Sequence, residues 1–449
     1  MTRLALLDQA AFLRLRATGQ GSTVQCTWIY DRDVNIDELR VFNHNLSAGL
    51  LARRIERSPL PFARHRWVVE SHSPDIAYEP PQPRHQIGTW MERRAQVRVD
   101  PEHGPTFHLS MLPLEDGGAA VTLVASHCVA DGLGLVTAVA EAVKGQRRNL
   151  AYSRANSRSR WRAMSEDLID VVRAVPSALR ALIATLVILL RVSSQQGGQS
   201  QARRPGSLVP SDDRHAFSSV TIQTDAAAWE ARARALQGSS NTLFVAFAAR
   251  LAYRMGRVLP DGNSVTVVLP VSDRAANDDR ANALTSITLS VDGRAVAGDL
   301  SGVRAAVKAA LTALEQQPNE MLAGLPLIPF TPRWLVRRAE GIAMSSGQLP
   351  VGCSNLGILD PAVSRIDGAD ATEVSMRLAE QGITASRIEQ AHGQLFCGTG
   401  TVNGSRFLTV VAYPCGAASS TATTRELAGS ALTDLQLCAT TVYQGPIQP

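Results

Sequence analysis

The middle of the chain limits its possible folds more than any motif does. Residues 145 to 165 carry six arginines (147, 148, 154, 158, 160 and 162) and no acid. Apolar residues at helical spacing follow: Leu168, Val172, Val175, Leu179, Leu182, Leu186 and Leu190, with Pro176 among them. A proline inside a helix removes a backbone donor and crowds the preceding turn, so this stripe is predicted to kink or split at Pro176. Ser194 to Asp213, rich in Gln, Gly, Ser, Arg and Pro, then reads as a flexible loop. On either side lies a segment of mixed strand and helix periodicity, long enough to bury its own core at roughly 100–200 residues per domain. The expected organisation is an N-terminal half at 1–150, a crossover and linker at 151–215, and a C-terminal half at 216–449.

Both halves read as α+β. The first predicts a helix over Leu4–Leu15, a strand over Thr23–Tyr30, a helix from Ile36 to Leu51 capped by Asn35, and a polar loop from Ser71 to Pro83. Two strands, Phe107–Leu112 and Ala119–Ser126, are joined by the hairpin signal Glu115-Asp116-Gly117-Gly118, and a helix follows from Leu133 to Val143. The second half predicts a strand at Ser218–Ile222, helices at Ala226–Leu236 and Thr242–Met255, and strands at Val265–Val271, Ser286–Val291, Leu395–Val402 and Phe407–Tyr413. A helix near Thr424–Leu437 closes it.

Composition removes several function classes. With 45% apolar and 19% charged residues this is a folded globular chain. Aromatics at 5% are too sparse for base-stacking platforms, and the cationic surplus of 45 − 40 = 5 is too diffuse for a nucleic-acid surface, so no nucleic-acid partner is expected. Six cysteines without a Cys-x-x-Cys pair fit a reducing cytosol and give no metal site. The N-terminus reaches Asp8 after few apolar residues, so no export signal is expected. The run Ala181–Leu190 is ten residues, half of the ~20 a spanning helix needs. A cytoplasmic protein is expected, its arginine-rich crossover a solvated connector and its leucine stripe a core or cover helix. Peripheral membrane contact is the second reading of both.

Chemistry concentrates where the strand Ala119–Ser126 ends, in His127-Cys128-Val129-Ala130-Asp131-Gly132. A neutral imidazole, with an ordinary pKa of about 6.5, takes a proton from a hydroxyl or amine at neutral pH. Asp131 can hold the loop by an ion pair or by accepting backbone N–H bonds, and Gly132 allows a tight turn and a close N–H. From these residues alone, a loop histidine followed by a turn is an equally good account. His108 lies in a predicted strand and reads as structural. Asp292-Gly293 has Thr288 where a histidine would be needed, so a second site is not expected.

The segment resembles the His-x-x-x-Asp-Gly motif of the superfamily that contains chloramphenicol acetyltransferase, plant acyltransferases, the condensation domains of nonribosomal peptide synthetases, and bacterial wax ester synthase/diacylglycerol acyltransferases. Further stretches resemble the last group in the same order along the chain. They are Leu4-Ala5-Leu6-Leu7-Asp8-Gln9-Ala10-Ala11-Phe12-Leu13, Gly104-Pro105-Thr106-Phe107, Asn241-Thr242-Leu243, Leu269-Pro270-Val271-Ser272 and Cys353-Ser354-Asn355-Leu356-Gly357. Three departures stand out: Ser126 replaces the first of two tandem histidines, Thr242 replaces an aspartate, and Leu356-Gly357 replaces Val-Pro-Gly.

The resemblance implies two chloramphenicol acetyltransferase-like halves, each an α/β two-layer sandwich, with an active-site tunnel between them. It implies acyl transfer from a thioester to an alcohol or amine, with His127 as general base. The oxyanion would be met by the Gly132 N–H and by Ser354 or Asn355, while Asp131 orders the loop by pairing with an arginine such as Arg274. Neither metal nor bound cofactor is implied. The acyl donor would be acyl-coenzyme A or a phosphopantetheinyl thioester, which makes an acyl carrier protein a candidate partner. A catalytically silent member that binds a lipid or carrier protein is the alternative. Cys128 adjoins the base, but a side chain one position along a strand-end loop is expected to point elsewhere.

Overall fold

The computed structural model describes residues 3–70, 73–148, 150–195, 218–275, 278–316, 320–344, 349–413 and 421–444. The chain opens with α1 (Leu6–Thr18), β1 (Gly21–Tyr30) and α2 (Ile36–Leu46). Asn35 caps α2 by accepting from the N–H groups of Asp37 and Glu38, whose acids suit the positive end of the helix. The short strands β2 (Arg53–Glu56), β3 (Arg66–Val69) and β4 (Ala77–Tyr78) precede α3 (Ile87–Ala95), β5 (Phe107–Pro113) and β6 (Ala119–Ser126). β5 and β6 form the expected hairpin; Gly117 takes φ +85° in its turn and Asp116 accepts from the Gly118 N–H. Then come α4 (Gly132–Val143), β7 (Ser153–Arg154) and α5 (Arg160–Gln195).

The second half begins with β8 (Ser218–Asp225), α6 (Ala226–Ala235), α7 (Ser240–Arg254), β9 (Ser264–Ser272) and β10 (Leu284–Asp292). It continues through α8 (Ser301–Gln316), α9 (Glu320–Ala323), α10 (Arg333–Met344), β11 (Val351–Ile358) and β12 (Glu373–Gln381). It ends with α11 (Ala385–Gln390), β13 (Gln394–Val402), β14 (Ser405–Tyr413), α12 (Thr421–Asp434) and β15 (Thr441–Gln444).

Two large sheets organise the molecule, in the orders β12-β1-β6-β5-β4 and β10-β9-β11-β13-β14-β8-β15. The halves expected at 1–150 and 216–449 therefore exchange one element. β12 leaves its own half and pairs antiparallel with β1, from Gly21↔Gln381 to Ile29↔Glu373, covering an edge the first half would otherwise leave open. The first core gathers Phe12, Trp28, Leu39, Phe42 and Leu123, with Trp28 and Phe42 edge to face at 6.1 Å. The second gathers Trp229, Phe244, Phe247 and Leu251 from α6 and α7 against the inner face of its sheet.

The mid-chain segment departs from expectation in two ways. α5 runs unbroken through Pro176. The carbonyl left without a donor belongs to Val172, which is 62% exposed, so solvent takes the missing partner's place. The leucine stripe, expected to cover a core, faces outward: Leu168, Val172, Leu179, Leu182 and Leu186 are 45–62% exposed. What α5 buries is its small and acidic edge, Ala163, Asp167, Ala178 and Ala181. Of the six arginines at 147–162, Arg148 pairs with Glu141, Arg158 with Glu166 and Asp167, and Arg162 with Glu166, while Arg147, Arg154, Arg160 and Arg162 are exposed, as a solvated connector would have them. The loop expected at Ser194–Asp213 lies outside the described residues from 196 onward. Among the described residues no helix is long and apolar enough to cross a membrane.

Candidate active site

β6 ends at Ser126, and the chain turns through His127 before α4 begins at Gly132. The turn is pinned on both sides: the His127 N–H donates to the Ser22 carbonyl at 2.9 Å, and Asn282 Nδ2 donates to the His127 carbonyl at 3.2 Å. His127 lines a cleft of about 150 Å³ together with Asp131 and Gly132 from the first half and Ser272, Ser354 and Asn355 from the second. His127 thus stands on the wall of a cleft that both halves line.

Asp131 is the knot of this loop. It caps α4 by accepting from the Gly134 N–H at 2.7 Å, and the same Oδ1 stands 2.8 Å from Arg274 Nη2. Its Oδ2 accepts from the Ala283 N–H at 3.1 Å, and its own N–H donates to the Ala281 carbonyl at 2.9 Å. Every one of these partners except Gly134 comes from the 274–283 segment of the other half. The carboxylate is thus committed to ordering two loops and has no proton-handling geometry.

Three residues that sequence reasoning did not assign to the site complete the brace. Asp8, fully buried at the start of α1, accepts from the N–H groups of Ala281 and Asn282 at 3.2 and 2.7 Å and from Asn282 Nδ2 at 3.1 Å. Burial pushes its carboxyl above the usual range, against the pull of Arg53 and of these donors. Arg53 stacks over Trp67 at 4.5 Å and donates to the carbonyl of Val129 at 2.7 Å and to that of Asp279. Asn282 then reaches His127 itself. The sequence signals for Asp8 were its place in the Leu4–Leu13 stretch that carries the resemblance and an acid near the start of an apolar helix.

The opposite wall is equally fixed. Asn355 Nδ2 donates to Asn241 Oδ1 at 2.9 Å, and its Oδ1 accepts from the Gly357 N–H, so its orientation is set from both ends. Thr242, where the resemblance led one to expect an aspartate, closes a capping box for α7: its Oγ1 accepts from the Ser239 N–H at 2.7 Å while its own N–H donates to Ser239 Oγ. A hydroxyl serves this position as a carboxylate would. A Cβ on Gly132 would stand 2.9 Å from Leu356 Cδ2, so the two halves touch where the helix begins. As the first residue of α4, Gly132 offers one of the N–H groups a helix leaves without an internal partner.

Neighbouring candidates fall away. Cys128 is buried in the first core, and burial pushes its thiol up to about 12, which removes the thiolate that acyl-enzyme chemistry needs. His108 is buried in β5, where burial and the Arg94 charge hold it down to about 4. Beside His127, Ser22 Oγ donates to Glu380 Oε1 at 2.8 Å; burial raises the Glu380 carboxyl while Arg14 pulls it back.

No protein-family model matches the sequence, and no curated protein sequence matches it significantly. Solved structures do match it in shape. The first condensation domain of the calcium-dependent antibiotic synthetase aligns over 98% of this chain and 99% of its own length, with a TM-score of 0.56 and 15% identity. The wax ester synthase/diacylglycerol acyltransferase from Marinobacter aquaeolei aligns over 97% and 99%, with a TM-score of 0.56 and 14% identity. The nonribosomal peptide synthetase FmoA3 aligns over 97% of this chain, which spans only 42% of that synthetase's length, with a TM-score of 0.51 and 17% identity.

Proposed function

We propose that this chain, whose fold is the two-lobed one of condensation domains and wax ester synthases, moves an acyl group from a thioester to an alcohol or amine. One observation carries the reading: His127 lines one cleft with a helix-start N–H, Gly132, from its own half and with Ser354 and Asn355 from the other. In the proposed reaction His127 takes the proton of the acceptor hydroxyl or amine as that group attacks the thioester carbonyl. The resulting oxyanion is met by the Gly132 N–H and by Ser354 or Asn355, a type of contact worth roughly 3–4 kcal/mol of barrier. The tetrahedral centre then expels the thiolate, which takes the proton back from the imidazolium. The donor is the thioester of coenzyme A or of a phosphopantetheinyl carrier protein, a co-substrate and not a resident cofactor.

Thiol release is the direct test, with acyl-coenzyme A of graded length and a carrier-bound thioester each set against alcohols and amines. Acceptor-dependent release that falls by about 10²–10⁴-fold in His127→Ala is the expected result. Absence of release before and after the change would leave a silent module that binds lipid or carrier protein.

We also read the outward face of α5 as a contact for an anionic lipid surface. Arg173 and Arg180 are exposed among its apolar residues, no acid occurs from 171 to 195, and Trp334 of α10 is 63% exposed beside exposed Arg333, Arg337 and Arg338. Apolar area flanked by cations is what peripheral lipid binding requires.

A further inference from the structure

β12 carries a carboxylate from the second half into the row of residues that ends at His127. Glu380 pairs with Ser22 across β12 and β1. The Thr23↔Ser126 register of β1 and β6 then continues one step, because the His127 N–H meets the Ser22 carbonyl. Residues opposite one another in a sheet point to the same face, so Glu380, Ser22 and His127 stand side by side. The next row on that face, Leu378 paired with Val24, lines the cleft together with His127. Two strand spacings put the Glu380 and His127 backbones roughly 10 Å apart. The Glu380 side chain reaches into that interval to Ser22 Oγ, which donates to its Oε1 at 2.8 Å.

The surroundings leave this carboxylate less fully answered than its neighbours. Its side chain is 10% exposed, and its Oε2 finds no hydrogen-bond donor among the described residues, with Arg14 Nη1 3.9 Å away. Burial disfavours the charge; Arg14, the Ser22 hydroxyl and then His127 favour it, and Glu340 of α10 opposes it. Arg14 is shared, since it also pairs with Glu340 at 2.9 Å, and Glu340 has Arg387 of α11 besides, at 3.4 Å. Of the other charged groups on the cleft wall, Asp131 is answered by Arg274 and Arg377 by Glu92.

A proton taken by His127 makes an imidazolium, and a carboxylate already fixed in the same row stabilises that charge as it develops. We propose that Glu380 is a positioning residue for acyl transfer, the fixed counter-charge that strengthens His127 as a base. This rests on the acyl-transfer reading for the reaction, but the electrostatic link itself can be tested without any turnover.

The test uses the full chain with carbon-13 at histidine Cε1, the His127 signal being the one lost in His127→Ala. Glu380→Gln and Glu380→Met both remove the charge, the first keeping an acceptor for Ser22; circular dichroism reports which fold, and either one decides. Glu380→Asp keeps the charge. Without its counter-charge an imidazolium gives up its proton sooner, so the His127 signal in the Gln or Met variant is expected to titrate about half a pH unit below the wild type. In the same variant kcat for thiol release is expected to fall about threefold with KM within about twofold, and Glu380→Asp to recover most of both changes. An unmoved His127 signal in a folded Gln or Met variant overturns the proposal, as does an equal shift in Glu380→Asp, which would trace to packing and not to charge. A shifted signal with unchanged turnover removes the role in the reaction. The shift without any thiol release from the wild type would uphold the counter-charge and sink the acyl-transfer reading alone.

Discussion

Arg274 Nη2 and Asp131 Oδ1 stand 2.8 Å apart where the two halves meet, with side chains only 11% and 7% exposed. The same carboxylate caps α4, so one residue sets both the start of that helix and the position of the facing loop. Removing one member of a buried pair leaves the other charged and without its counterion, which typically costs about 3–5 kcal/mol. Arg274→Ala and Asp131→Ala are each expected to lose stability on that scale in denaturant titrations and to lower thiol release. Turnover at the wild-type level in Asp131→Ala would refute the ordering role.

Contact between Gly132 and Leu356 gives a paired prediction. The atom a new Cβ would meet is the end of a flexible side chain, so Gly132→Ala should shift Leu356 into the cleft without unfolding the protein, at a stability change within about 1 kcal/mol. Turnover should fall more for bulky acceptors than for small ones. Adding Leu356→Ala should restore the bulky acceptors, and a double variant no better than the single one counts against steric contact as the cause.

Stability should follow pH through His108. Its folded-state pKa lies near 4, below the ordinary value of about 6.5, because burial and Arg94 disfavour the charged ring. The folded protein therefore binds fewer protons than the unfolded chain between those values. This contribution is complete above pH 6.5 and is lost as pH falls through 4. The ring's Nε2 is buried with no hydrogen-bond partner, and its Nδ1 has only the long 3.5 Å contacts with Arg94 Nη2 and Ser110 Oγ, so His108→Phe gives up little hydrogen bonding. That variant should show a flatter dependence of Tm on pH between 6.5 and 4; an unchanged slope would mean another group governs acid loss.

The exposed face of α5 predicts lipid binding that weakens with salt. Sedimentation with vesicles containing a third phosphatidylserine should bring the protein down at low ionic strength, and much less with phosphatidylcholine alone. Leu182→Glu with Leu186→Glu should abolish it while leaving thiol release from water-soluble acyl-coenzyme A intact. Equal sedimentation of this variant would remove α5 from the contact.

What the sequence disclosed and what it hid follow from the range over which each signal acts. Local signals were legible: the Asn35 cap, the turn at Gly117-Gly118, and the strand that delivers His127 all depend on neighbours a few positions apart. β12 was not legible because Arg377 and Glu380 break its apolar pattern. Arg377 is buried all the same, pairing with Glu92 and bonding Gln25, and Glu380 is largely covered, held by Ser22 and Arg14. β11 hid for a related reason, since its Ser354 and Asn355 face the cleft and not a core. Asp8 was unreadable as part of the site because its partner Asn282 lies 274 positions away. The helical period of α5 was plain, but periodicity reports that a face is apolar and not what covers it.

The exchange of β12 governs how the molecule can move. Nine residue pairs join this strand to β1, and parting the two lobes like the jaws of a clamp would tear that ladder along its length. A twist of the lobes about the shared strand would leave the ladder whole. A fragment cut at residue 215 would keep the histidine but carry β1 as a raw, sticky margin, and it should self-associate instead of retaining half the activity.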